Sequence, residues 1–255
     1  MTSHVTASDG TRLHCRCTGS GPAILLSHGY AATSGMWDGQ LEALGSGHEV
    51  ITWDMRGHGL SDSPEDPASY SEAATVADMA AILDSCGVQR AAIGGLSLGG
   101  YMSLAFHLAH PERTAALLLF DTGPGYRRDA GRDKWNASAA RTAERFEARG
   151  LSALAGGAEV RASSHLSATG LALAARGMLA QRDSRVIDSL ATIAAPTLVL
   201  VGADDEAFHS SADYMAAKIP GATKVVLAGA GHAANIDQPE AFNQAVLDFL
   251  AGIAW

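Results

Sequence analysis

Short, almost continuously apolar runs recur along the chain, separated by longer amphipathic stretches. The runs lie at residues 23–26, 50–53, 91–93, 115–120, 197–201 and 225–227, and Gly, Asp or Ser closely follows each. Such runs are typical of parallel strands buried on both faces. Segments 72–85 and 241–250 carry helical patterns between or after them. The alternation predicts an α/β fold with a doubly wound, mostly parallel sheet, and segments 5–8 and 12–17 predict an edge hairpin.

One long stretch, between residues 120 and 197, carries no strand pattern. It is rich in Ala, Arg, Glu and Gly, and predicts helices at about 132–149, 151–155, 171–181 and 185–191. An insertion between late strands lies above their carboxyl ends, where α/β sheets bind ligands. We therefore expect a core domain of residues 1–123 and 193–255 and a helical cap of residues 124–192. A peripheral helical decoration is the alternative.

Composition and charge narrow the function classes. The 255 residues are 47% hydrophobic and carry a formal net charge of −9, without a cluster of Lys and Arg, so nucleic acid is not an expected partner. The three cysteines do not suggest a disulfide framework. No signal peptide and no apolar run of membrane-spanning length is evident, which predicts a cytoplasmic protein without a membrane partner. The oligomeric state is not readable from the sequence.

A glycine-flanked serine gives the strongest chemical signal. Gly95-Leu96-Ser97-Leu98-Gly99 follows the apolar run at 91–93 and precedes a helix-prone segment. A strand, a G-x-S-x-G turn and a helix in this order form a nucleophile elbow, which holds the serine at the carboxyl end of the strand. Side chains at positions 95 and 99 would collide with neighbouring backbone. Ser97 is therefore the candidate nucleophile.

Nucleophilic catalysis by serine also needs a base and an acid that orients it. His232 lies in a small-residue loop after the last predicted strand and is the candidate base. Asp121, Asp204 and Asp205 all follow strands, so each could face the same edge of the sheet as the acid. The residues alone leave this choice open, because Asp also caps turns in such loops.

The backbone N–H groups of Tyr30 and Leu98 are the candidate oxyanion hole, since one follows the third strand and the other follows the nucleophile. His28 is expected to hold this loop in place. Trp135, Met178 and Phe208 are candidate substrate-binding residues.

Other side chains have two interpretations. Tyr30 and Leu98 could also line the pocket with their side chains, and Trp37 could do so or pack in the core. Arg127, Arg128 or Arg161 could bind a substrate carboxylate, although surface ion pairs are their simpler role. Arg56, in the turn 54–62, is expected to bond nearby carbonyls or carboxylates.

Four motifs in order, His28-Gly29, the turn 54–62, the turn 95–100 and Gly231-His232, resemble the α/β-hydrolase superfamily over nearly the whole chain. In that family the acid is often the third residue after the glycine that ends the penultimate strand. Counting from Gly202, this resemblance favours Asp205, with Asp204 in reserve.

Within that superfamily the chain looks similar to the branch of 3-oxoadipate enol-lactonases, small carboxylesterases and carbon–carbon bond hydrolases. The resemblance implies a cofactor-free and metal-free serine hydrolase that acts on a small-molecule ester or lactone through an acyl-enzyme on Ser97. A carbon–carbon bond or thioester hydrolase, a perhydrolase side activity and a non-catalytic small-molecule receptor are the alternatives.

Overall fold

The computed structural model of the protein describes residues 2–255 and contains one eight-stranded sheet. The strands are β1 (Thr2–Thr6), β2 (Arg12–Thr18), β3 (Ala23–Ser27), β4 (Glu49–Trp53), β5 (Ala91–Leu96), β6 (Thr114–Phe120), β7 (Thr197–Gly202) and β8 (Thr223–Leu227). Their spatial order is β1-β2-β4-β3-β5-β6-β7-β8. Strand β2 pairs antiparallel with β1 and β4, and all other neighbours are parallel.

The six apolar runs are therefore confirmed as β3 to β8. The first strand of the edge hairpin is different: it was expected at 5–8 but ends at Thr6. The reason is local, because Ala7 N–H donates to Thr11 O and Gly10 N–H donates to Ala7 O. These bonds commit Ala7 and Ser8 to the turn instead of the ladder.

Helices cover both faces of the sheet. They are α1 (Asp38–Gly45), α2 (Glu72–Ser85), α3 (Leu98–Ala109), α4 (Asp129–Arg149), α5 (Ala158–Arg161), α6 (Ala168–Ala174), α7 (Arg185–Ser189), α8 (Glu206–Lys218), α9 (Ala234–Asp237) and α10 (Pro239–Leu250). Side chains of α2, α3 and α8 pack in one core with Leu25 of β3, whereas α1 and α10 pack in a second core with its neighbours Ile24 and Leu26. The alternation of side chains along a strand thus supplies both cores.

Helices α4 to α7 fill the stretch between β6 and β7, together with a π-helical turn at Ala175–Leu179 and 3₁₀ turns. Their residues contact the loops at the carboxyl ends of β3 and β4. Tyr30 Oη, in the loop after β3, donates to Leu171 O, and Gly59 N–H, in the loop after β4, donates to His165 Nδ1 at 3.1 Å. The insertion therefore lies over the edge where the candidate site residues are found. Its treatment as a cap domain of residues 124–192 stays a prediction.

Among the described residues, no helix combines the length and apolarity needed to cross a membrane.

Candidate active site

Ser97 occupies a strained turn between β5 and α3. Its φ of 54° and ψ of −112° lie outside the ordinary regions for a residue with a side chain. The turn is held from both sides, because Ser97 N–H donates to Phe120 O and Thr122 Oγ1 donates to Ser97 O. The strain is therefore stabilised by β6 and by the loop that follows it.

The two flanking glycines are required by close backbone contacts, as expected. A Cβ at Gly95 would lie 2.5 Å from Ser27 O, and a Cβ at Gly99 would lie 2.2 Å from the same oxygen. Any larger residue would push the elbow away from β3. The first turn of α3 is thereby kept against the loop that carries the candidate oxyanion hole.

His232 is joined to one of the three candidate acids. Its Nδ1 lies 2.7 Å from Asp205 Oδ2, and because a carboxylate only accepts, Nδ1 donates and Nε2 is left without a proton. Asp204 instead lies exposed, with its N–H donating to Ala230 O. The structure therefore brings Asp205 and His232 together.

A further glycine allows this pairing. Gly202 ends β7, and a Cβ there would lie 2.2 Å from Gly231 O. The loop before His232 thus passes directly against the end of β7. This close approach places the carboxylate of Asp205, three residues after Gly202, beside the imidazole.

The environment of His232 favours its charged form. Burial acts to lower the pKa of His232, but the hydrogen bond and charge of Asp205, with smaller contributions from Asp121 and Glu159, outweigh it and raise the pKa above its ordinary value. The ring also stacks on Phe208, with centroids 4.9 Å apart. An imidazole held in this way can accept a proton and be stabilised as imidazolium.

The Tyr30 amide is oriented by its own peptide group. Met55 N–H donates to His28 Nε2, so the proton of this neutral ring is on Nδ1, which donates to Gly29 O at 2.7 Å. Ala32 N–H donates to the same carbonyl. The Gly29 carbonyl and the Tyr30 N–H belong to one planar trans peptide, in which they point in opposite directions. The two hydrogen bonds that fix the carbonyl therefore also fix the direction of the Tyr30 N–H. Burial lowers the pKa of His28 to about 4 and keeps the ring neutral.

The second candidate donor, Leu98 N–H, is at the amino end of α3, where helix amides have no intrahelical acceptor. Gly29, which precedes Tyr30, lies close to the elbow, since its Cβ would be 3.6 Å from Ser97 Cβ. In the described part of the chain, neither the Tyr30 nor the Leu98 N–H donates to another protein group. Both donors are thus available beside the nucleophile for a negatively charged oxygen.

A cavity of about 70 Å³ opens beside Ser97. It is lined by Ser97, Leu98, Tyr101, Thr122, Gly123, Gly125, Tyr126, Trp135, Leu179, Gln181, Phe208 and Ser211. Two of the predicted substrate-binding residues, Trp135 and Phe208, therefore line the cavity. Since Phe208 also stacks on His232, one ring links the cavity of Ser97 to the Asp205–His232 pair. Within residues 2–255 the Ser97 hydroxyl makes no hydrogen bond, so its proton transfer to His232 belongs to the proposal below.

The third prediction, Met178, is not a cavity residue. Its side chain is 1% exposed and packs in the core with α2 and α3, and its neighbour Leu179 lines the cavity instead. Trp37 and Tyr30 are not among the cavity residues either: Trp37 is fully buried against Phe120 and Phe242.

Sequence reasoning also missed cavity residues. Tyr101 could have been found from its spacing, because it lies one helical turn after Ser97. Gln181 and Ser211 carry no local signal, since only the folded chain brings the insertion and α8 to the elbow.

Asp121 does not contact His232 through a hydrogen bond. It is 1% exposed, and its Oδ1 accepts a hydrogen bond from Gly202 N–H at 2.8 Å. The arginines considered for a substrate carboxylate lie elsewhere: Arg127 pairs with Asp188, Arg128 is exposed, and Arg161 donates to Gly156 O. Among the described residues, no group of three or more His, Cys, Asp or Glu side chains is arranged to hold a metal ion.

Comparison with known proteins gives likenesses over almost the whole chain. The model of the alpha/beta hydrolase family matches residues 24–245. The 3-oxoadipate enol-lactonase 1 of Acinetobacter baylyi is 30% identical over 271 aligned residues, which cover 98% of this chain and 97% of that protein. Among solved structures, a malate-bound thermophilic esterase from Thermogutta terrifontis has a TM-score of 0.86 at 30% identity and 98% coverage of both chains. The enol-lactonase from Burkholderia xenovorans has a TM-score of 0.78 at 27% identity, with 98% and 100% coverage.

Proposed function

Because the chain belongs to the alpha/beta hydrolase family, we propose that it is a serine hydrolase that cleaves a small carboxylic ester or lactone. The observation that carries the proposal is the 2.7 Å contact between His232 Nδ1 and Asp205 Oδ2, in a fold that presents Ser97 on a strained elbow. The likeness to an esterase and to enol-lactonases supports the same reaction class.

The first half of the reaction forms an acyl-enzyme. Ser97 Oγ attacks the substrate carbonyl carbon while its proton passes to His232 Nε2. The Tyr30 and Leu98 N–H groups bind the resulting oxyanion, and each such donor lowers the barrier by about 3 kcal/mol. Asp205 stabilises the imidazolium. Collapse of the intermediate breaks the bond to the alcohol oxygen, which takes the proton from His232.

The second half regenerates the enzyme. A water molecule attacks the acyl carbon as His232 Nε2 accepts one of its protons, and the tetrahedral intermediate uses the same two N–H donors. The bond to Ser97 Oγ then breaks and the proton on His232 returns to it. The product that leaves is a carboxylic acid. A lactone gives a hydroxy acid, because its alcohol and its acyl group belong to the same molecule.

The cavity supports a short, uncharged acyl group. A single water needs roughly 10–15 Å³ of such space, so about 70 Å³ accommodates on the order of five to seven small groups. Leu98, Trp135, Leu179 and Phe208 provide apolar wall, and within residues 2–255 no Lys or Arg is among its lining residues. A carboxylate placed there would lose its hydration without gaining a cation.

A substrate panel on the wild type and on Ser97→Ala tests the proposal. Ethyl 4-oxopentanoate and monoethyl succinate suit it, because they share a leaving group and have acyl chains of nearly equal size but different charge. We expect hydrolysis of the neutral ester to be at least about tenfold more efficient, in kcat/KM followed by acid release in a pH-stat. A fluorophosphonate probe should label the wild type once, seen as added intact mass.

Ser97→Ala should abolish both the turnover and the labelling. A Ser103→Ala variant is the matched control, since that buried hydroxyl lies on the helix that follows Ser97 and, in the described part of the chain, bonds only Gly99 O. Near-wild-type turnover by Ser97→Ala would overturn the serine mechanism. Equal efficiency on both esters would overturn the acyl-group preference alone.

A further inference from the structure

Asp121 is a buried carboxyl group that the proposed mechanism does not use. It follows β6, and its φ of 43° lies in the left-handed region. Two hydrogen bonds hold it to β7: Asp121 N–H donates to Leu200 O at 2.9 Å, and Gly202 N–H donates to Oδ1 at 2.8 Å. The carboxyl group is thus fixed between the ends of β6 and β7, and the residue that it bonds, Gly202, lies three positions before Asp205.

The other oxygen of this group has a different environment. Asp121 Oδ2 is buried from solvent and has no hydrogen-bond partner among residues 2–255. Both aspartates are nevertheless held by the same residue, since Gly202 N–H donates to Asp121 Oδ1 at 2.8 Å and Gly202 O accepts from Asp205 N–H at 3.1 Å. The two carboxyl groups interact with each other, and the charges of both act on His232. Two ionised carboxylates in this contact would repel each other, since neither has a hydrogen to donate. A buried oxygen in this position is satisfied if it carries a proton.

We propose that Asp121 is a positioning residue that holds a proton on Oδ2 and donates it in a hydrogen bond to the carboxylate of Asp205. This inference rests on the proposed function, because it assigns to Asp121 the role of fixing the carboxylate that orients His232. The proton stays on Asp121 through both halves of the reaction. Asp205 then has two donors, His232 Nδ1 on one side and Asp121 on the other, which fix its plane.

The electrostatics agree with the geometry. Burial raises the pKa of Asp121, the Gly202 N–H and the charge of His232 lower it, and Asp205 raises it again, so that it reaches about 8. Asp121 is therefore mostly protonated at pH 7 and loses its proton as the pH passes through about 8. Above that pH the two carboxylates repel, Asp205 loses its second donor, and we expect kcat/KM to fall.

The pH dependence of kcat/KM in the wild type, Asp121→Asn and Asp121→Leu tests this role. Asn can still accept from Gly202 and donate to Asp205 but cannot ionise, whereas Leu has similar volume and can do neither. We expect the wild type to lose activity above about pH 8 and Asp121→Asn to lack that fall. Asp121→Leu should lower kcat about tenfold at little changed KM, and Asp121→Asn should recover most of that loss. Thermal unfolding of both variants checks the fold.

An infrared difference spectrum tests the proton itself without turnover. The wild type at pH 7 should show the carbonyl stretch of a protonated carboxylic acid, which disappears on titration through about pH 8 and is missing from Asp121→Asn. Absence of that band from the wild type, or identical pH profiles in the wild type and Asp121→Asn, would overturn the inference. Neither outcome affects the serine mechanism, which fails only if Ser97→Ala stays active.

Discussion

At the scale of single residues, His28 illustrates how a buried ring can control a backbone donor. Its two ring nitrogens have fixed and different partners, Met55 N–H and Gly29 O, so its tautomer and orientation are determined. The sequence placed His28 in a loop-holding role, and the structure supplies the two contacts by which it holds the loop. The proposed oxyanion donor at Tyr30 depends on this contact.

Replacing His28 by Ala should lower kcat by about tenfold or more with little change in KM, because the Gly29–Tyr30 peptide loses the bond that orients it. His28→Asn is the matched variant, since its short amide can still donate to Gly29 O. Steady-state kinetics on ethyl 4-oxopentanoate make the comparison. An equal loss in both variants would mean that volume, and not the donated hydrogen bond, is what the loop requires.

The choice among three aspartates shows the limit of reasoning at this scale. Residue type and strand-end position describe Asp121, Asp204 and Asp205 equally well, and the family count favoured Asp205. In the structure Asp204 is exposed while Asp205 lies against His232. Which aspartate meets His232 depends on the position of a loop that lies 27 residues after Asp205 in the chain. The sequence around the aspartates holds no information about that position.

At the scale of elements, the strands were predictable and the insertion was less so. The six apolar runs are short and closely followed by Gly, Asp or Ser, which favours strands over buried helices, and all six became strands. The predicted helix at 171–181 is instead α6 followed by the π-helical turn at Ala175–Leu179. Because a π turn departs from the period of 3.6 residues, that period does not predict which of its side chains faces the cavity: Met178 packs in the core and Leu179 lines the cavity.

The π turn packs closely against the backbone of Tyr70 through Gly177. A Cβ at Gly177 would lie 1.9 Å from Tyr70 O, so Gly177→Ala should displace the turn and with it the Leu179 wall of the cavity. We expect KM to rise several-fold with kcat much less affected, because the catalytic groups are on other elements. Gly47→Ala is the control, as its Cβ would meet nothing within 4 Å. A fall in kcat at constant KM in Gly177→Ala would contradict this placement.

At the scale of the whole molecule, one buried cation joins three distant segments. Arg56 is 2% exposed; its Nε and Nη2 donate to Asp78 on α2, and its Nη1 donates to Asp9 in the edge hairpin and to Ser69 O. The sequence predicted that Arg56 would bond nearby carbonyls or carboxylates, and these contacts confirm it. They tie the loop after β4 to the hairpin and to a helix on one face of the sheet.

Asp78→Asn should lower the free energy of unfolding by about 3 kcal/mol, because it leaves the guanidinium buried with less compensation. The exposed pair Arg16–Asp38 is the comparison, and Asp38→Asn should change that free energy by less than about 1 kcal/mol. Denaturant unfolding at pH 7 measures both. Equal effects of the two substitutions would show that burial does not make the Arg56 pair special.

The sequence by itself determined the six buried strands, the doubly wound and mostly parallel class of the sheet, the elbow at Ser97 and the residue types available for catalysis. These features follow from local patterns: apolar runs long enough to be buried on both faces, and glycines where the backbone has no room for a side chain. Only the tertiary structure decided which aspartate meets His232, which side chain of the insertion enters the cavity and where Asp121 puts its second oxygen. Each of these depends on segments that are distant in the chain, and the contact between them exists only once both cores have packed.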